Sequence, residues 1–207
     1  MKQQDVHLFV FDSLSDWEPG YAVAGINSPR FQLNPGRYRV RTVALRRESI
    51  HTMGGIRIEP DLSLDTVSPQ NSAMLILPGG TAWDMGDNME AVEVAGVFLN
   101  AGVPVAAICG ATAGLARGGL LDHHRHTSNS REYLAATQYL GTAFYEDAPA
   151  VTDDNLITAS GIAPLEFARQ IFRRLALYSP QLLDAWYGLF KTGRPEYYDA
   201  LMQAARE

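Results

Sequence analysis

The chemistry this chain could carry centres on Cys109, the only cysteine among 207 residues. An apolar run, Val103-Pro104-Val105-Ala106-Ala107-Ile108, leads into it and reads as a buried central strand. Small residues follow, Gly110-Ala111-Thr112-Ala113-Gly114, and read as the start of a helix. Ala107 and Ala111 flank the cysteine at minus two and plus two, the positions that must be small when a nucleophile sits on a sharp strand-to-helix turn. A helix N-terminus favours a thiolate through its unpaired N–H groups and its dipole. The competing reading is a small buried hydrophobe, the commoner fate of a lone cysteine.

Other residues invite the same double reading. Glu18 opens a helix, where an acid is stabilised by the dipole alone. Pro78-Gly79-Gly80 follows an apolar strand; it is either a tight turn or a place where backbone N–H groups can approach a substrate oxygen. Trp83 either walls a pocket or lies beneath the next helix. The run Asp122-His123-His124-Arg125-His126 offers three imidazoles, but Arg125 sits among them and His123 and His124 would point to opposite faces of a strand. A solvated loop with one inward histidine is expected, with no metal bound, and His7 and His51 are read as structural.

These residues need a frame. Strands are predicted over 6–11, 38–45, 73–77, 103–108 and 156–159, with a short one at 150–151. A hairpin of short edge strands, 49–52 and 56–59, turns at Met53-Gly54-Gly55. Helices are predicted over 18–27, 90–101 (with apolar Val94, Val97 and Phe98), 110 to about 118, 130–140, 165–178, 181–191 and 196–206, and a short helix or turn over 61–67. The alternation argues an α/β sandwich around a mainly parallel sheet, whose working site lies at the carboxyl ends of the strands. The loop to Glu18, the Gly79-Gly80 turn and Cys109 all fall at such ends. Residues 1–178 form the body; 179–207, carrying Trp186, Tyr187, Phe190, Tyr197 and Tyr198, read as a helical pair packed on it.

Composition narrows the function. A formal net charge of −6 is unsuited to binding phosphate backbones, so no nucleic-acid partner is expected. One cysteine excludes an internal disulfide and fits a reducing compartment. The start, MKQQDVHLFVFD, does not read as a signal peptide, and no apolar run approaches membrane-spanning length. The expectation is a cytoplasmic protein that acts on a small molecule and needs no cofactor.

Four motifs in order resemble the DJ-1/PfpI superfamily, whose fold is flavodoxin-like and that of class I glutamine amidotransferases. They are Asp16-Trp17-Glu18-Pro19; Leu77-Pro78-Gly79-Gly80; Ala106-Ala107-Ile108-Cys109-Gly110; and Asp153 to Gly161, followed by a helix with Glu166-Phe167-Ala168. The resemblance covers about 6–178, and the aromatic extension looks like the type 1 glutamine amidotransferase-like branch. It implies a nucleophilic Cys109 held in strained backbone, Glu18 as its partner, an oxyanion hole from the N–H groups of Gly80 and Gly110, and a homodimer. Asp16, Trp17, Trp83, His126 and Asn129 are taken as candidate pocket residues. Two departures matter. Gly110 stands where peptidase members carry histidine, and Asn129 stands where many others do, with His126 three residues earlier. A Cys-His-acid triad is therefore not expected, nor peptidase or glutaminase action.

Two functions remain, beside a weaker third reading as a ligand-binding domain with a vestigial site. In one, the Cys109 thiolate, aided by Glu18, attacks a small electrophilic carbon in glyoxalase-like or hydratase-like chemistry. In the other, Cys109 is a redox sensor of a stress-response protein, oxidised to a sulfinate.

Overall fold

The computed structural model describes residues 3–204. Its main sheet has seven strands: β1 (Gln4–Phe9), β2 (Tyr38–Ala44), β5 (Leu62–Ser63), β6 (Ser72–Leu77), β7 (Val105–Ile108), β8 (Ala150–Asp153) and β9 (Leu156–Ala159). Their order is β5-β2-β1-β6-β7-β9-β8. All pairings are parallel except β8 with β9, a hairpin turning at Asp154, whose φ is 49°. The apolar runs of β6 and β7 are buried along Met74–Leu77 and Val105–Ile108, as parallel strands covered on both faces must be. The remaining strands, β3 (Ile50–His51) and β4 (Arg57–Ile58), form a separate antiparallel hairpin. It stands apart from the main sheet and does not extend its edge.

Helices flank the sheet in two groups. α1 (Gly20–Asn27) packs on α6 (Pro164–Arg174), and α6 on α7 (Pro180–Thr192). On the other side α4 (Gly110–Arg117) touches α2 (Thr81–Asp84), α3 (Met89–Asn100) and α5 (Arg131–Ala135). The result is the flavodoxin-like three-layer sandwich of the class I glutamine amidotransferase fold. α6 presents Leu165, Ala168 and Phe172 in one row and Phe167 and Ile171 in the next, the spacing of a half-buried helix. α7 carries Trp186 onto Phe172, Tyr178 and Tyr21, and α8 (Pro195–Ala204) packs on α7. No helix among the described residues is long and apolar enough to cross a membrane.

Several elements differ from expectation, each for a local reason. α5 ends at Ala135 because the Thr137 hydroxyl donates to the Leu134 carbonyl and Gln138 turns to a φ of 61°. α6 ends at Arg174, where Ala176 adopts a φ of 47° and the Leu177 N–H returns to the Phe172 carbonyl, closing the helix without a glycine. In α3 the inward face is Ala91, Val92, Ala95 and Phe98, and Val97 lies outside, more than half exposed. The segment read as a short helix or turn over 61–67 instead contributes β5, paired to β2, before a single helical turn.

β1 runs to β2 on one side, and the chain then returns to lay β6 on the other side of β1. This reversal leaves a crevice at the carboxyl ends of the central strands. The loops after β1, β6, β7 and β9 meet there.

Candidate active site

Cys109 ends β7 and caps α4 with φ 57° and ψ −125°, a conformation that side-chain-bearing residues rarely adopt. Such strain costs on the order of 1–3 kcal/mol and persists only where its surroundings over-determine it. Here the Cys109 N–H donates to the Ala159 carbonyl at 3.0 Å, extending the β7–β9 ladder. The Cys109 carbonyl accepts the Thr112 hydroxyl at 2.6 Å, and that hydroxyl also meets Ser128 at 2.6 Å. Ala107 and Ala111 beside it are fully buried.

Glu18 arrives from the loop after β1 and is fully buried. Its Oε2 accepts the Gly79 N–H at 2.5 Å, while Oε1 has no hydrogen-bond partner among the described residues. The carboxyl faces the Cys109 thiol, and both groups line the same pocket. Gly79 makes this meeting possible: a β-carbon there would sit 2.6 Å from that of Cys109 and 2.7 Å from Oε2.

Burial, opposed by the Gly79 N–H, pushes the Glu18 carboxyl up to about 7. Burial and then the facing Glu18 charge push the Cys109 thiol up to about 11, against the lowering that its helix N-terminus alone would give. The two acids face each other in one pocket, so they do not both ionise at neutral pH. Below about pH 7 the pair holds two protons, and above it one.

This proton has a stability consequence. Between pH 4.5 and about 7 the unfolded chain releases the Glu18 proton while the folded chain keeps it, so stability falls as pH rises through this window. The loss reaches about 3 kcal/mol. Glu18→Gln is expected to abolish that slope and to be more stable than the parent at pH 8, as urea denaturation at pH 5 and pH 8 would read.

A pocket of about 570 Å³ opens over the sulfur, lined by Trp17, Glu18, Cys109, Asn129, Gly161, Ile162 and Pro164. The Asn129 Nδ2 donates to Sγ at 3.3 Å, and the Gly110 N–H also faces the sulfur. Trp17, about half exposed, donates its indole N–H to the Gly161 carbonyl at 3.2 Å.

Three candidate pocket residues lie elsewhere. Asp16 turns away to accept the Thr52 hydroxyl at 2.5 Å and the Gly54 N–H at 2.7 Å; it holds the β3–β4 hairpin, and the Thr52 bond keeps its carboxyl low. Trp83 is fully buried, donates to the Pro78 carbonyl and packs on Phe9, Phe11 and the glycines of α4; it supports the elbow from beneath and is not among the residues lining the pocket over the sulfur. His126 is buried with Nδ1 on the His124 carbonyl and Nε2 on the Tyr139 hydroxyl, sandwiched by Tyr139 and Tyr145. His124 pairs with Asp153 and His123 lies on Phe144, so the three imidazoles do not converge.

Gly161, Ile162 and Pro164 line the pocket without being among the residues expected there. They follow β9, a fourth strand end at the same edge of the sheet, and the strand-end rule applied to β9 points to them. Ser15, whose carbonyl accepts the Glu18 N–H at 3.3 Å, carries no signal in the sequence.

Comparison with known proteins agrees with this fold. The model of the DJ-1/PfpI family matches residues 4–174. The chain is 44% identical over 205 residues to the uncharacterized protease YoaZ of Bacillus subtilis, covering 98% of each. It is 30% identical over 134 residues to deglycase PH1704 of Pyrococcus horikoshii, covering 63% of this chain and 78% of that one. The crystal structure of a thiJ/pfpI family protein from Bacillus anthracis superposes with a TM-score of 0.90 at 46% identity, covering 99% of this chain and 98% of that one. A match running from the first strand through α6, carried by a relative aligned nearly end to end, leaves one conclusion: this chain belongs to the DJ-1/PfpI family.

Proposed function

We propose that the protein is a cofactor-independent enzyme in which Cys109 attacks the carbonyl carbon of a small 2-oxoaldehyde and Glu18 moves the protons. The observation that carries this reading is the fully buried Glu18 carboxyl facing the Cys109 thiol in one pocket. The thiol proton passes to Glu18 as sulfur bonds to the aldehyde carbon, and the carbonyl oxygen takes that proton to give a hemithioacetal. Glu18 then removes the hydrogen from that carbon and a proton is returned at the neighbouring carbon, leaving a thioester of a 2-hydroxy acid. Water cleaves the thioester, releases the acid and restores the thiol. The net change is addition of one water, and the oxidation of one carbon is matched by reduction of the next.

The rest of the site supports these steps. In this reading the Gly80 and Gly110 N–H groups serve the developing oxyanion, the Gly79 N–H being taken by Glu18. The pocket suits a small, partly apolar substrate beside Trp17 and Ile162. The sequence similarity to a protein named as a deglycase points to carbonyl chemistry of the same kind.

Incubation with methylglyoxal should yield the 2-hydroxy acid without added cofactor, with a rate that rises as pH climbs through about 7 and one proton leaves the pair. Absence of turnover together with a +32 Da gain at Cys109 on mild peroxide treatment would replace this reading with the redox sensor.

A further inference from the structure

The sulfur has a second neighbour whose orientation is fixed by the fold. The Asn129 side chain spans two partners: Nδ2 donates to the Cys109 Sγ at 3.3 Å, and Oδ1 accepts the Gly161 N–H at 2.9 Å. The second bond removes the ambiguity of an amide, because a flipped side chain would set its NH₂ against the Gly161 N–H. Gly161 is itself clamped, since its carbonyl accepts the Trp17 indole N–H at 3.2 Å. It must also be glycine, because a β-carbon there would lie 2.7 Å from the sulfur. A continuous line therefore runs from the pocket mouth at Trp17, through both polar groups of Gly161, to Asn129 and the sulfur.

We propose that Asn129 is a positioning residue: Gly161 and Trp17 hold its amide so that it always presents an N–H donor to the Cys109 sulfur, which orients the sulfur and stabilises negative charge on it. The proposal deepens the reading of Cys109 as a nucleophile and rests on it. An amide neither gains nor loses a proton near neutral pH, so position 129 adds a fixed dipole where an ionisable residue would add a second titration. The titratable groups facing the sulfur are then Glu18, from the loop after β1, and Tyr133 of α5, whose hydroxyl is committed to Asp84 at 2.6 Å. His126 faces its tyrosines. Among these neighbours, Asn129 and the Gly110 N–H lower the thiol's proton affinity, whereas Glu18 raises it.

The test is the rate of Cys109 alkylation by iodoacetamide against pH, which needs no substrate and reads one thiol. Asn129→Asp keeps the shape and the acceptor for Gly161 but replaces the donor with an acceptor. It is expected to slow alkylation at pH 7.5 by about tenfold or more and to move the profile to higher pH. Trp17→Phe removes only the indole N–H from a half-exposed ring, and is expected to shift the profile in the same direction by less. Unchanged profiles in both variants would overturn the proposal. Should the parent alkylate as described yet turn over no 2-oxoaldehyde, the substrate reading fails and the role of Asn129 stands.

Discussion

Cys109→Ser is expected to lower turnover of a 2-oxoaldehyde by at least about 10³-fold while leaving the fold intact. The hydroxyl is smaller and far more weakly acidic than the thiol, and nothing near it is built to deprotonate an alcohol. The nearest base is Glu18, a carboxylate that titrates at about 7. Glu18→Gln is expected to cost about 10²–10⁴-fold, the usual contribution of a positioned acid–base group. The substituted amide can still accept the Gly79 N–H through its carbonyl, so this loss comes without collapse of the loop. The two losses should not add in the double variant, because the residues handle the same proton. Steady-state kinetics on the two single variants and the double variant would check this. Full activity in Cys109→Ser would remove the nucleophile from the reaction altogether.

The largest stability effect is expected at Trp83. Its side chain is fully buried between Phe9, Phe11 and the glycines that open α4, and its indole N–H is satisfied by Pro78. Trp83→Ala leaves a cavity that the rigid strands cannot close and is expected to destabilise by about 3–5 kcal/mol. Its carbonyl also accepts the Arg117 guanidinium at 2.6 Å, so collapse of this region would disturb α4 at its far end as well. Trp83→Phe should lose less, because most of the ring volume stays. Equilibrium denaturation would measure both. If Trp83 were instead a pocket wall, Trp83→Ala would change KM with little loss of stability, the reverse of what its burial predicts.

The meeting of these strand ends was legible because it rests on local patterns. Apolar runs of five or six residues ended by Cys109 and by Pro78-Gly79-Gly80 marked central strands and their carboxyl ends, and a parallel sheet brings such ends together. The resemblance then tied Glu18 to Cys109. The hairpin at Met53-Gly54-Gly55 was equally local, since glycine pairs mark turns. Helix ends made by Gln138 and Ala176 in left-handed backbone were not legible, because neither residue type announces that conformation.

What the sequence by itself determined, then, was the order of elements, the strand ends that carry the site, and the residue types available for chemistry. What only the tertiary structure decided was direction and environment. Asp16 and Glu18 are two residues apart, yet one braces a hairpin and the other is buried against the thiol. His126 and Asn129 are three apart, yet the imidazole is spent on Tyr139 and the amide on the sulfur. The helix start favours a thiolate at Cys109, and burial beside Glu18 overrides it. Side-chain direction and desolvation arise from contacts between segments far apart in the chain, and no local pattern encodes them.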